Sequence, residues 1–243
     1  AVETLAAEQG YGKIFVKSPE RSAEAFLRRG FRVEARIPAF FPDRQALWFV
    51  SKFTDLSREI LSPQEATRLR DVMERALAPA AKPGVPAPPP APRPAGPEDL
   101  PALARLYAEV FPEYPFPITD PAYLRETLEK GVRYFGVWED ARLIAAASAE
   151  PDSPVGAVEM TDFATRPECR GRGLASSLLS VMEHDRCAAG YTTAFTIARA
   201  PAFGINRVFA LRGYAHGGTL VHNTRIGTGM ESMNVWYKPL IAS

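Results

Sequence analysis

The stretch Glu159-Met160-Thr161-Asp162-Phe163-Ala164-Thr165-Arg166-Pro167-Glu168-Cys169-Arg170-Gly171-Arg172-Gly173-Leu174-Ala175, continuing through Ser176 to Glu183, decides the fold. Residues 155 to 165 are apolar and β-prone, Arg166-Pro167-Glu168 breaks the run, and Ser176 to Met182 has helical periodicity. A helix that opens directly after such a loop aims unpaired backbone N–H groups, and the positive end of its dipole, at whatever lies in front of it. That is a seat for an anion. Gly171 and Gly173 let the backbone approach a diphosphate where a Cβ would clash, and Arg170 and Arg172 add positive charge. The loop has no Gly-Lys-Ser/Thr ending, and its glycine spacing is not that of a dinucleotide-binding turn.

What remains is Arg-x-x-Gly-x-Ala at 170 to 175, after a strand and Pro167 and before a helix. This arrangement resembles the acetyl-coenzyme A pyrophosphate loop of the GNAT N-acetyltransferase superfamily. The resemblance implies an α/β (α+β) acyltransferase fold, a mixed and mostly antiparallel sheet flanked by helices. It also implies acetyl-CoA as co-substrate.

The 243 residues are 46% hydrophobic and 23% charged, which suits a globular chain of one large domain or two modest ones. A net charge of +1, with no cluster of Lys and Arg outside the short loop, argues against a nucleic-acid partner. No apolar run approaches the ~20 residues of a membrane span. Cys169 and Cys187 match no metal spacing and read as structural thiols, while His184, His216 and His222 are scattered. The expectation is a cytoplasmic protein without metal or membrane association. The chain begins at Ala1, so residues upstream of it are expected in the natural protein.

Three parts are expected. Residues 1–78 contain a strand at 13–17, a helix from Ser18-Pro19 to Gly30, strands at 32–37 and 46–53, and a helix from Pro63 to Leu77. Residues 79–97 hold nine prolines in nineteen positions and read as an extended semi-rigid linker, not a packed element. Residues 98–243 contain a helix after Glu98-Asp99-Leu100-Pro101, an aromatic and proline-rich loop at 111–118, and a helix from Pro121 to Lys130. Paired strands at 134–138 and 143–149, the organising stretch, a strand at 193–199, a helix at 205–212 and a strand at 232–238 follow. This is the element order of the GNAT fold, so 98–243 is the expected catalytic domain.

A repeat links the halves. Gly10-Tyr11 aligns with Gly190-Tyr191, Phe15 with Phe195, and Phe26-Leu27-Arg28-Arg29-Gly30-Phe31 with Phe209-Ala210-Leu211-Arg212-Gly213-Tyr214. Residues 1–78 are therefore expected to be a partial GNAT-like half-domain, a copy of the fold's second half without the glycine loop. Such a copy can extend the sheet, cover the acceptor or form a homodimer contact.

Acetyl transfer to an amine needs a base for the ammonium proton, a donor for the developing oxyanion and a proton for the departing thiolate. By the resemblance, Phe163, Ala164 and Thr165 run along the pantetheine, and residues 170 to 176 (Arg170, Gly171, Arg172, Gly173, Leu174, Ala175, Ser176) hold the pyrophosphate. Asn206 opens the last helix where it touches the pantetheine. Phe209 stands where many members carry a tyrosine that protonates the thiolate, which leaves the acid unassigned. Glu159, eleven residues before Arg170, matches the glutamate base of histone-acetylating members, and Asp162 is its rival. Regular strand geometry puts Glu159, Thr161 and Phe163 on one face and Asp162 on the other.

The motifs Tyr114-Pro115-Phe116-Pro117-Ile118, Glu159 to Thr165, Thr196-Ile197-Ala198-Arg199-Ala200, Gly217-Gly218-Thr219-Leu220, Asn223-Thr224 and Glu231 to Lys238 together resemble the β-lysine N-acetyltransferase family. That resemblance implies transfer to the ε-amino group of β-lysine, giving the osmolyte Nε-acetyl-β-lysine. A short diamino acid needs carboxylates near its ammonium groups, supplied by Glu159, Asp162 and Glu231. It also needs a cation or amide for its own carboxylate, supplied by Arg199, Arg225 and Asn223. Tyr114 belongs to the acceptor pocket. Acetylation of proteins, peptides or polyamines, and a non-catalytic acyl-CoA sensor, are the alternatives.

Overall fold

The computed structural model describes residues 2–79, 90–111, 113–152, 155–227 and 229–240. In chain order the elements are α1 (Val2–Glu8), β1 (Lys13–Pro19), α2 (Glu20–Leu27), β2 (Arg32–Ile37), β3 (Leu47–Phe53), α3 (Pro63–Leu77), β4 (Arg93–Pro94), α4 (Leu100–Val110) and α5 (Pro121–Glu129). Then come β5 (Arg133–Glu139), β6 (Arg142–Asp152), β7 (Ala157–Thr165), α6 (Leu174–Ala188), β8 (Thr193–Arg199), α7 (Phe203–Leu211), β9 (Ala215–Ile226) and β10 (Gly229–Pro239). Local chemistry explains several boundaries. Ser62 and Glu65 cap α3 reciprocally ahead of Pro63, and the Asp120 carboxylate accepts from the Ala122 N–H beside Pro121 at the start of α5.

The chain divides into two compact units. The first comprises Ala1–Leu77, Ile197–Ala210 and Tyr214–Tyr237, and its strands run in the order β1-β3-β2-β9-β10 with antiparallel neighbours. Its apolar centre beside α1 and α2 holds Ala6, Ile14, Ala23, Phe31 and Val50. Here β2 meets β9 at the pair Ala35 and Gly218. A buried ion pair joins Lys13 to Glu34 at 2.7 Å, with both side chains almost wholly shielded from solvent. Ser51 donates to the same glutamate at 2.5 Å and the Val221 N–H at 2.9 Å, while Lys13 also donates to the Val221 carbonyl.

The second unit comprises Ala78–Thr196, Leu211–Gly213 and Lys238–Ser243. Its strands β4-β5-β6-β7 are antiparallel neighbours, and β8 joins β7 in parallel. One face is covered by α4 and α5, whose Leu100, Leu103, Leu106, Tyr107 and Leu124 pack with Tyr134, Leu143, Ala146 and Ala164 of the strands.

Residues 80–89 of the expected linker lie outside the described residues, as does Pro112 of the aromatic loop. The linker's far end corrects the expectation of an unpacked segment. Arg93 and Pro94 pair with Gly136 and Phe135 of β5, and the Ala95 N–H donates to the Tyr134 carbonyl at 2.8 Å. Arg93 bonds both oxygens of Asp99, at 2.8 and 3.0 Å, and lies 3.6 Å over the Trp138 ring. Proline is compatible with a strand at a sheet edge, where its missing N–H faces away from the ladder.

Candidate active site

The loop has the backbone geometry that an anion seat needs. Gly171 and Gly173 have φ of +79° and +76°, and a Cβ on either would meet no atom within 4 Å. The left-handed backbone, not crowding inside the chain, is what calls for glycine there. Gly173 caps α6 with no side chain plugging the helix start, so the first-turn amides of Leu174, Ala175 and Ser176 point outward. Arg172 is held by both oxygens of Glu139, at 3.1 and 2.6 Å, and this contact raises its pKa. The exposed Arg170, bonded only weakly to the Thr165 carbonyl at 3.4 Å, keeps the freer charge beside the seat.

Strand β7 departs from regularity just before this loop. It pairs with β8 at Ala157, Val158 and Glu159 (opposite Thr193, Ala194 and Phe195), and among the described residues the ladder ends there. Thr161, Ala164 and Thr165 pair with β6 on the other side. Against β6 the register slips: Ala146 faces Ala164, but Ser148 faces Thr161, so β7 carries one extra residue. Asp162 sits at this bulge with φ +53°.

The bulge corrects the simple alternation. Thr161 stands opposite Ser148, Ala164 packs with α4 and α5, and Asp162 also reaches Ser148. The Ser148 hydroxyl donates to one Asp162 oxygen at 2.6 Å and the Tyr114 hydroxyl to the other at 2.5 Å. Burial raises the Asp162 pKa, and the two hydrogen bonds oppose that shift. Burial, and then the Asp162 charge, push the hydroxyls of Tyr107 and Tyr114 far above their usual range. Tyr134 stands opposite Ser148 and hydrogen-bonds Thr127 at 2.7 Å. One row further along, Glu150 of β6 faces Glu159 of β7, and Glu159 is half-buried.

The sequence placed Glu159, Asp162 and Tyr114 in one site but missed Ser148, Glu150, Tyr107 and Tyr134. Tyr107 reads as one of several apolar positions on α4. Ser148 and Glu150 were legible only as polar interruptions of an alanine-rich strand.

Five expected site residues, Arg199, Asn206, Phe209, Asn223 and Glu231, belong to the first unit, and there four have other occupations. Asn206 is fully buried: its Nδ2 donates to the carbonyls of Arg199 (2.9 Å) and Ala202 (2.8 Å), and its Oδ1 accepts from Asn234 and Trp236, each at 2.9 Å. The expected pantetheine contact from this side chain is corrected, because its hydrogen-bonding capacity is used within the unit. Phe209 is likewise fully buried, edge-on to Tyr214 at 4.9 Å, and serves as core rather than as a cofactor contact. Arg199 and Glu231 were expected to meet opposite ends of the substrate. Instead they bind each other in a fork, at 2.8 and 2.6 Å. The Asn223 Oδ1 is buried and accepts no hydrogen bond among the described residues.

A strand that leaves its parallel neighbour, runs into an uncapped glycine loop and carries carboxylates beside the point of departure defines an acyl-coenzyme A N-acyltransferase. The comparisons agree. Residues 100–211 match the model of the Acetyltransferase (GNAT) family. A protein of Methanococcus maripaludis named Beta-lysine N(6)-acetyltransferase is 34% identical over 238 residues, 98% of this chain and 86% of its own. A protein of the same name from Methanosarcina mazei is 39% identical over 148 residues, 61% of this chain and 55% of its own. The fold matches the crystal structure of the ribosomal-protein-S18-alanine N-acetyltransferase from Escherichia coli with a TM-score of 0.55 at 14% identity, covering 63% of this chain and 95% of that one. The chain belongs to the acetyltransferase (GNAT) family and is an acetyl-CoA-dependent N-acetyltransferase. Among the described residues no group of three or more His, Cys, Asp or Glu side chains is placed to hold a metal ion, and no helix is long and apolar enough to cross a membrane.

Proposed function

We propose that the enzyme moves the acetyl group of acetyl-CoA to the ε-amino group of β-lysine, giving Nε-acetyl-β-lysine. One observation carries this reading: the likeness to the Methanococcus protein of that name runs through both units and is not confined to the acetyltransferase core. The chemistry of the second unit supports it, since a small cationic acceptor suits neighbouring carboxylates and tyrosines such as Asp162 and Tyr114. We read 98–243 as the catalytic domain and 1–78 as an internal partial copy, and place the enzyme in the cytoplasm with its co-substrate.

The diphosphate of the coenzyme would rest on the amides of Leu174, Ala175 and Ser176 across Gly171 and Gly173, with Arg170 alongside. The pantetheine would run along Phe163 to Thr165, beyond the last residue of β7 that pairs with β8. Bound there, the coenzyme supplies an activated acyl carbon. Glu159, half-buried beside the end of the β7–β8 ladder, accepts the proton of the acceptor ammonium, directly or through one water. Asp162 is already engaged by Ser148 and Tyr114, so its role is to hold the Tyr114 ring in place. A thiol of pKa about 8.5 departs without a dedicated acid.

The test is to incubate the enzyme with acetyl-CoA and, separately, β-lysine, lysine, ornithine, spermidine and a histone peptide, following free thiol. Highest kcat/KM with β-lysine is expected. Thiol release with spermidine or the peptide and none with β-lysine would overturn the assignment.

A further inference from the structure

A groove of about 670 Å³ opens within the first unit, between α3 and the start of α7, and none of its lining belongs to the site described above. That volume suits a small molecule. Val72, Pro201 and Phe203 give the groove an apolar floor, Val72 buried and the other two half-buried. The Arg75 guanidinium lies 4.4 Å over the Phe203 ring, which fixes the ring as one wall.

The charges on this groove are arranged in a particular way. Arg68, Asp71, Val72 and Arg75 follow one another at helical spacings of three and four, so they share one face of α3. Arg68 and Asp71 are spaced for an ion pair, yet neither side chain has a hydrogen-bond or ion-pair partner among the described residues. An arginine and a carboxylate with Cβ atoms about 5–6 Å apart, both unpartnered and both beside an apolar floor, complement a molecule with one charge of each sign at one end and an uncharged tail. Arg75 sets a positive charge on the tail's side of the groove and so disfavours a tail that is itself cationic.

We propose that this groove is a second binding site, for a free amino acid whose side chain carries no charge. The carboxylate rests on Arg68, the ammonium on Asp71 and the side chain along Val72, Pro201 and Phe203. The site stands apart from the transfer chemistry and does not depend on which amine the enzyme acetylates. A diamino acid fits it better once its distal amine is acetylated, because acetylation removes the second positive charge. The groove thereby tells an Nε-acetylated diamino acid from its precursor.

The test is calorimetry on the whole enzyme with four probes: Nε-acetyl-lysine, leucine, lysine, and isocaproate, which is leucine without its ammonium. Nε-acetyl-lysine and leucine are expected to bind at least about tenfold more tightly than lysine and isocaproate. Arg68→Met and Asp71→Asn should each weaken the first two probes by about tenfold to a hundredfold, with kcat and the KM for acetyl-CoA unchanged. Both side chains are exposed on α3, so the variants keep the fold. Lysine bound as tightly as Nε-acetyl-lysine, no binding of any probe, or affinities unchanged in both variants overturns the inference. So does a raised KM for acetyl-CoA in Arg68→Met, which would assign the groove to the coenzyme. None of these outcomes touches the acetyltransferase reading, which fails only if the wild type releases no thiol with any amine.

Discussion

Ala35 on β2 and Gly218 on β9 stand opposite each other in the ladder, and they hold the same position in the two copies of the sequence repeat. Phe31 aligns with Tyr214, and four residues on from each lie Ala35 and Gly218. A residue that pairs with its own repeat equivalent marks an approximate two-fold axis between antiparallel strands. The flanking order β1-β3-β2 followed by β9-β10 is what an internal copy would give.

That contact dictates a glycine. A Cβ on Gly218 would lie 2.2 Å from the Glu34 carbonyl oxygen and 2.7 Å from the Ala35 Cα, and the residue has φ of +141°. Gly218→Ala should therefore cost about 3 kcal/mol, from strain and forced separation of the strands, in denaturant unfolding. Gly204→Ala in α7 is the control: nothing lies within 4 Å of its Cβ, so stability should hold or rise by up to ~1 kcal/mol. Equal stability of the two variants would refute the close approach.

Many elements were legible, because β2 alternates polar and apolar residues and α3 opens on a capping box. What escaped notice has physical causes. Gly217-Gly218 reads as a turn by composition, yet the glycines lie inside β9, where neighbouring backbone leaves no room for a side chain. The β7 bulge has no compositional mark, since one inserted residue in a strand looks like strand, so the face of Asp162 came out reversed. Asn206 was placed at the right helix start, but nothing local reports that Asn234 and Trp236, distant in sequence, claim its oxygen.

Asn206→Ala separates those two readings of the residue. Deleting the amide leaves the Trp236 Nε1, the Asn234 amide and several carbonyls buried without partners, at ~1–3 kcal/mol for each unsatisfied group. The variant should lose roughly 3–5 kcal/mol of stability, with the KM for acetyl-CoA little changed below its melting temperature. Unchanged unfolding and a raised KM would restore the cofactor contact.

The Lys13–Glu34 pair makes stability depend on alkaline pH. Burial lowers the Lys13 pKa to about 8 from 10.5, with Glu34 only partly opposing it. Between these two values the unfolded chain binds the proton that the folded chain has released, so stability should rise as pH climbs from 8 towards 10.5. Lys13→Met abolishes this slope and, by stranding the buried Glu34 carboxylate, lowers stability at pH 7 by ~3–5 kcal/mol. Denaturant midpoints across that range decide the matter, and a wild-type curve falling through it would contradict the burial of the ammonium.

In the proposed mechanism Glu159 takes the proton and Asp162 anchors Tyr114. Glu159→Gln should cut kcat by ~10²–10⁴ while the affinity for coenzyme A, measured by calorimetry, stays put. Asp162→Asn keeps an acceptor for the Ser148 hydroxyl and should lower kcat by less than about tenfold through a looser Tyr114. Their pH signatures also differ. Burial raises the Asp162 pKa, so its ionised form is penalised in the fold. Wild type should gain stability relative to Asp162→Asn as pH falls from 8 towards the carboxylate range, and lose that gain as pH rises. If instead the acidic limb of the kcat/KM profile survives in Glu159→Gln and disappears in Asp162→Asn, the proton is taken by Asp162, and the bulge exists to present a base rather than to anchor a tyrosine.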